Sequence, residues 1–191
     1  MKYDYSNACF TILQAVVETV AGHANASDPD YFATYVNDNV FTPMGIDTAV
    51  FSPVPDDAET RTLSYYGSMD VDPGNPYQQT NFVGAAGWIT SATEAGKFLN
   101  GLRGSAVLSE STKAQMFEGQ LGWYTYNGLY GQYFHHEGDF GGDPGGIRAA
   151  VVRLTNGYDC FLAINSANEY LGLPNIVELV IRAFEANRPQ G

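Results

Sequence analysis

Apolar residues recur at helical spacing between Ala8 and Ala21. Cys9, Phe10, Ile12, Leu13, Val16, Val17 and Val20 form one stripe. Ser6 or Asn7 stands where an N-cap belongs and Gly22 where a helix stops, so the pattern predicts a buried helix. Asp28-Pro29 opens a second helix, with proline at its first position, running to about Val40. Its face carries Tyr31, Phe32, Tyr35, Val36 and Val40, and Pro43 lies just past its end. Ser91-Ala92-Thr93-Glu94 fits a capping box, with Ala95, Phe98, Leu99 and Leu102 following at helical spacing to a stop at Gly104. Ser109 can cap a further short helix through Phe117.

Past Gly119 the period shortens to two. Leu121–Tyr126, Leu129–His136, Ile147–Leu154 and Tyr158–Asn165 read as strands, and Asn156-Gly157 reads as a tight hairpin turn. The last two strands are apolar at both parities, so both faces of the sheet need cover. One cover is a helix over Pro174–Asn187, with Ile176, Val177, Val180, Ile181 and Phe184 inward and Glu178 paired to Arg182 outside. The layout is α+β in one domain: helices and loop over 1–118, then an antiparallel sheet and a closing helix over 119–191. Between the two halves, residues 47–86 show no clear period. Within them Asp70–Asn75 approaches a calcium loop but has glycine fifth and Asn81 twelfth, so it reads as a turn.

Charge narrows the partners. A formal charge of −12, from 9 Lys+Arg against 21 Asp+Glu, opposes binding to nucleic acid or anionic lipid. No apolar run is long enough for a transmembrane helix. The start, Met1-Lys2-Tyr3-Asp4, has no secretory h-region, which leaves the compartment open. Cys9 and Cys160 each lie in an apolar segment and read as buried free thiols.

The candidate chemistry gathers at two places. From Tyr133 to Gly146 an aromatic run ends in His135-His136-Glu137 and opens into a loop with five glycines. Histidine titrates near neutrality, and glycine lets a ligand approach the backbone. At the other end Tyr5-x-Asn7 precedes a helix; a phenol can shuttle a proton and an amide can orient a carbonyl. Adjacent His135 and His136 point to opposite strand faces, and no metal-ligand spacing occurs, so neither a metal nor another cofactor is expected. No Gly-x-Ser-x-Gly elbow is present, and no Ser-x-x-Lys: the residues three before Lys97 and Lys113 are Glu94 and Glu110.

The order of these pieces resembles serine β-lactamases, penicillin-binding proteins and their esterase and D-peptidase relatives. Tyr5-Ser6-Asn7 before a helix, then Val40-Phe41-Thr42-Pro43-Met44-Gly45-Ile46-Asp47-Thr48, is similar to one signature region of that family. Gly84–Glu94, Leu121-Gly122-Trp123, His136-Glu137-Gly138 and the strands over 147–165 are similar to later ones. The resemblance implies acyl transfer in a cleft that takes a small molecule or peptide. Tyr5 is then the proton shuttle, Asn7 a substrate-orienting group, and His136 stands where many relatives have lysine. Gly138 lets substrate lie against the strand, and the backbone N–H of Asp139 is an oxyanion donor. The family's Ser-x-x-Lys nucleophile has no match here. The chain therefore reads as the C-terminal part of such a hydrolase, inert alone. The alternative is a non-catalytic binding module that keeps the fold and cleft. The same resemblance leaves strand Tyr158–Asn165 as a bare edge, where a second copy or the missing segment is expected to pair.

Overall fold

Three serines begin three helices. Each has extended backbone, and each hydroxyl accepts from the first turn: Ser6 Oγ from Ala8 N–H (3.2 Å), Ser91 Oγ from Glu94 N–H (3.2 Å), Ser109 Oγ from Thr112 N–H (3.2 Å). They start α1 (Asn7–Val20), α3 (Ala92–Arg103) and α4 (Glu110–Glu118). The Glu94 carboxylate pairs with Lys97 at 2.7 Å, so only the serine half of the expected capping box forms. The computed structural model describes residues 5–22, 31–46, 50–51, 64–66, 70–72, 84–86, 88–140, 147–164 and 175–187.

The second predicted helix is shorter and less regular than its pattern. Regular α2 covers Tyr31–Val36; the chain then widens into a π turn over Asn37–Phe41 and tightens into a 3-10 turn over Thr42–Met44. Pro43 has no N–H to give the Asn39 carbonyl, and its ring crowds that carbonyl, which ends the α pattern. Asn39 Nδ2 instead bonds back to the Tyr35 carbonyl at 2.9 Å. The expected start at Asp28-Pro29 lies outside the described residues. In the stretch that shows no period, β1 (Val50–Phe51) pairs with β4 (Trp88–Ile89). There β2 (Ser64–Tyr66) also pairs with β3 (Asp70–Asp72), so the first half of the expected turn at Asp70 is strand.

The main sheet has the order β5 (Tyr124–Gly128), β6 (Gly131–Phe140), β7 (Ile147–Arg153), β8 (Asp159–Ile164), all antiparallel. Both faces are covered, as the double-parity apolar pattern requires. On one face Tyr133, Ala150 and Val152 pack with Ile176, Val177, Val180 and Ile181 of α5 (Ile176–Asn187). On the other, Phe134, Val151 and Phe161 pack under Leu99 and Leu102 of α3, with Phe117 of α4 and Trp123 beside them. This three-layer arrangement is the α+β fold that the sequence pattern predicts. Arg182 and Glu178 pair on the wet side of α5.

Four local expectations are corrected. The β7–β8 turn is a three-residue 3-10 turn, Thr155–Gly157, with Gly157 at φ +83°, because a type I turn needs a left-handed residue to rejoin the twisted strands. β6 does not end at His136 but runs on to Phe140, held by pairs as far as Phe140↔Ile147. α1 is not a buried helix: Ile12, Leu13, Val16 and Val20 are exposed, and Gln14 is its buried residue. Cys9 is accordingly exposed and Cys160 half-buried, both as free thiols. Burial raises the Cys160 pKa above its ordinary value.

Candidate active site

Two elements far apart in sequence meet at α1 and β6. The extended backbone of Ser6 sets Tyr5 just ahead of the helix, where its hydroxyl donates to Asn7 Oδ1 at 2.8 Å. The Tyr5 ring lies 6.1 Å from the His136 ring, 5.7 Å from Phe10 and 6.2 Å from Tyr124. Phe10 meets His136 edge-on at 6.2 Å, and Tyr124 stacks beside it at 6.0 Å. Such ring pairs contribute about 0.5–1.5 kcal/mol each beyond area burial, enough to hold a phenol and an imidazole in one wall.

His136 has a defined proton position. Its Nδ1 is 2.7 Å from the Gly122 carbonyl, and a carbonyl only accepts, so Nδ1 carries hydrogen. In the neutral ring this leaves Nε2 as an acceptor able to take a proton. The carbonyl is presented by the reversal after α4, where Gln120 (φ +51°) and Gly122 (φ +75°) both adopt left-handed backbone. Trp123, 6% exposed and 5.3 Å from Phe117, pins that reversal to the core.

Gly138 and Asp139 stand on β6, not in the loop that their glycine-rich surroundings suggest. Pairing with β5 stops at Tyr124↔His135, so from His136 to Phe140 the strand has only β7 as neighbour among the described residues. A Cβ added at Gly138 would meet nothing within 4 Å. The Asp139 carboxylate takes the Arg148 Nε across the hairpin at 2.9 Å. A backbone edge open beside His136 can take an extended ligand by strand addition.

Sequence reasoning does not identify four supporting groups. Phe10 and Tyr124 complete the aromatic wall, and the Gly122 carbonyl orients His136. Gln14 ties the site to the Gly84 segment through its Oε1, which accepts Gly84 N–H at 2.9 Å. Glycine is needed there, since a Cβ would lie 2.7 Å from the Phe10 carbonyl oxygen. Spacing hints at Phe10 alone, three residues beyond Asn7.

His135 and Glu137 alternate with His136 and belong to the α5 side. Asn175 donates from Nδ2 to Glu137 Oε2 at 2.8 Å and accepts Val177 N–H at 2.8 Å, capping α5. His135 Nδ1 is buried without a partner among the described residues. Burial lowers its pKa below the ordinary value; Glu137 opposes that shift and His136 adds to it. The unfolded chain protonates near pH 6.5, above the folded site, so the folded state binds the proton less readily. Stability is therefore full above about pH 6.5 and falls as pH drops from there toward the lower folded value. As pH falls from about 7.5 to 5.5 the protein is expected to lose more stability in denaturant melts than His135→Phe does, because the variant lacks this acid sensitivity.

The family model described as Beta-lactamase matches residues 1–177. The chain belongs to the beta-lactamase family. Nothing matches in the comparisons with curated proteins and with solved structures. Tyr5, Asn7, His136, Gly138 and Asp139 all fall within the beta-lactamase match, as do α1, the whole sheet and the start of α5.

Proposed function

We propose that this beta-lactamase family chain supplies the proton-transfer and substrate-positioning half of an acyl-transfer site. Its substrate would be a β-lactam, an ester or a D-amino-acid peptide. The observation that carries this reading is the 6.1 Å approach of the Tyr5 and His136 rings beside the stretch of β6 that, among the described residues, pairs on one side only. Tyr5, oriented by Asn7, relays a proton; His136 Nε2 accepts or returns it; Asn7 orients the substrate carbonyl. Gly138 leaves room for the acyl group along the strand, and the Asp139 N–H faces the developing oxyanion.

The attacking hydroxyl is the missing part. None of the serines in these 191 residues begins a Ser-x-x-Lys. Removing a nucleophile from an acyl-transfer site costs about six orders of magnitude in kcat. The chain alone is therefore expected to leave nitrocefin and p-nitrophenyl esters intact and to take no label from a serine-reactive phosphonate. Turnover by the purified chain with stoichiometric phosphonate labelling would refute this. β8, which has only β7 beside it among the described residues, is the edge on which a nucleophile-bearing segment or a second copy would pair.

A further inference from the structure

A cavity lies on the α3–α4 face of the sheet, at the opposite end of β6 from the stretch that pairs only with β7 among the described residues. It holds about 310 Å³ and is walled by Phe117, Phe134 and Leu154, with Arg103, Lys113, Arg153 and the carboxylate of Glu110 around it. Three of the chain's nine Lys+Arg thus meet at one hollow in a protein of charge −12.

The three cations are not equally occupied. Lys113, 6% exposed at its side chain, gives its three donors to the Arg103 carbonyl (2.9 Å), the Gly104 carbonyl (2.7 Å) and Glu110 Oε1 (2.5 Å). It closes the C-terminus of α3 and has nothing left to offer. Arg103 forks onto Asp159, Nε to Oδ2 at 2.9 Å and Nη2 to Oδ1 at 2.7 Å, and Nη2 also meets the Tyr158 carbonyl at 3.1 Å. Arg153, 14% exposed, reaches Asp159 only through Nε, at 3.5 Å, and lies over the Phe117 ring at 4.8 Å. Its terminal nitrogens have no protein partner among the described residues. Asp159 is thus shared by two guanidinium groups, which leaves one positive charge in excess. Buried charges need pairing, and a guanidinium with open donors is short of an anion. Burial lowers the Arg153 pKa; Asp159 and, more weakly, Glu110 oppose the shift and Arg103 adds to it, so a further anion beside Arg153 would favour its charged form.

We propose that this cavity binds a small organic monoanion, a carboxylate carried on an apolar body. One excess charge matches one negative charge. The planar fork of Arg153 matches a carboxylate, and the phenylalanine and leucine walls match an apolar remainder. The site is independent of the acyl-transfer reading, since it shares no residue with the Tyr5–His136 wall.

The test is an amide NMR titration of the full chain with benzoate, benzamide and inorganic phosphate. Benzoate is expected to give saturable shifts at Phe117, Phe134 and Arg153, with benzamide giving none and phosphate binding more weakly. Arg153→Met should weaken benzoate by about tenfold or more, and Arg153→Lys, which keeps charge without the fork, by less. If Arg153→Met fails to fold, the wild-type map and Arg153→Lys decide. No saturable benzoate shift, shifts only near Tyr5 and His136, or equal binding of benzamide overturns the site. Phosphate binding as tightly as benzoate overturns the carboxylate assignment.

Discussion

Tyr133→Ala is expected to lower the unfolding free energy by about 3–5 kcal/mol, the range for deleting a large core aromatic. Tyr133 is fully buried at the centre of the sheet–α5 layer. Its ring meets Phe184 edge-on at 6.0 Å, and its hydroxyl donates to Glu185 Oε1 at 3.1 Å. Gly128 is what admits the ring, since a Cβ there would lie 2.2 Å from it. The substitution leaves a cavity and also frees Glu185, which is then held through Leu129 N–H (2.6 Å). Against a typical stability of about 5–15 kcal/mol, that loss reaches a large part of the whole. Tyr133→Phe keeps the ring and loses the hydroxyl's bonds to Glu185 and from Tyr130 N–H (3.3 Å), so about 1–2 kcal/mol is expected. Guanidinium denaturation of both variants checks the ratio. Near-equal losses would mean that the polar anchor, and not the packed ring, holds α5 to the sheet.

The other large effect is chemical. When a Ser-x-x-Lys-bearing segment is supplied and turnover of a β-lactam or ester appears, Tyr5→Phe and His136→Ala are each expected to lower kcat/KM by about 10²–10⁴-fold, as for loss of a proton-transfer group. Tyr5→Phe should change stability by no more than about 1 kcal/mol, because Tyr5 is exposed and keeps its ring. His136→Ala loses three ring contacts and the bond to the Gly122 carbonyl, so about 2 kcal/mol or more is expected, and its kcat/KM is read on the folded fraction. Normal turnover in Tyr5→Phe would remove the phenol from the mechanism. The double variant should lose little more than the worse single one, since groups that act as a unit are non-additive.

Helix starts are legible from the chain because a serine and its cap are neighbours in sequence: Ser6, Ser91 and Ser109 all cap the helices that their positions predict. The two-sided cover of β7 is legible too, because consecutive Val151 and Val152 serve opposite layers. The end of β6 is not. Gly138 lowers strand propensity, yet seven register pairs to β7 carry the strand past it. Exposure of α1 escapes a periodicity argument, which shows that a stripe exists but not whether anything covers it. In the candidate site the order of motifs names Tyr5, Asn7 and His136, while the Gly122 carbonyl that fixes the imidazole has no side-chain signature. The cation-lined cavity is invisible along the chain, because Arg103, Lys113 and Arg153 come from three elements.

The decisive measurement is the nuclear Overhauser contact between the Tyr5 ring and the His136 imidazole in solution. A direct cross-peak between them, lost in Tyr5→Ala with the β6 amide spectrum intact, is the predicted result. A Tyr5 ring that shows free-chain shifts and no contact with His136, Phe10 or Tyr124 would contradict the shared wall on which the functional proposal rests.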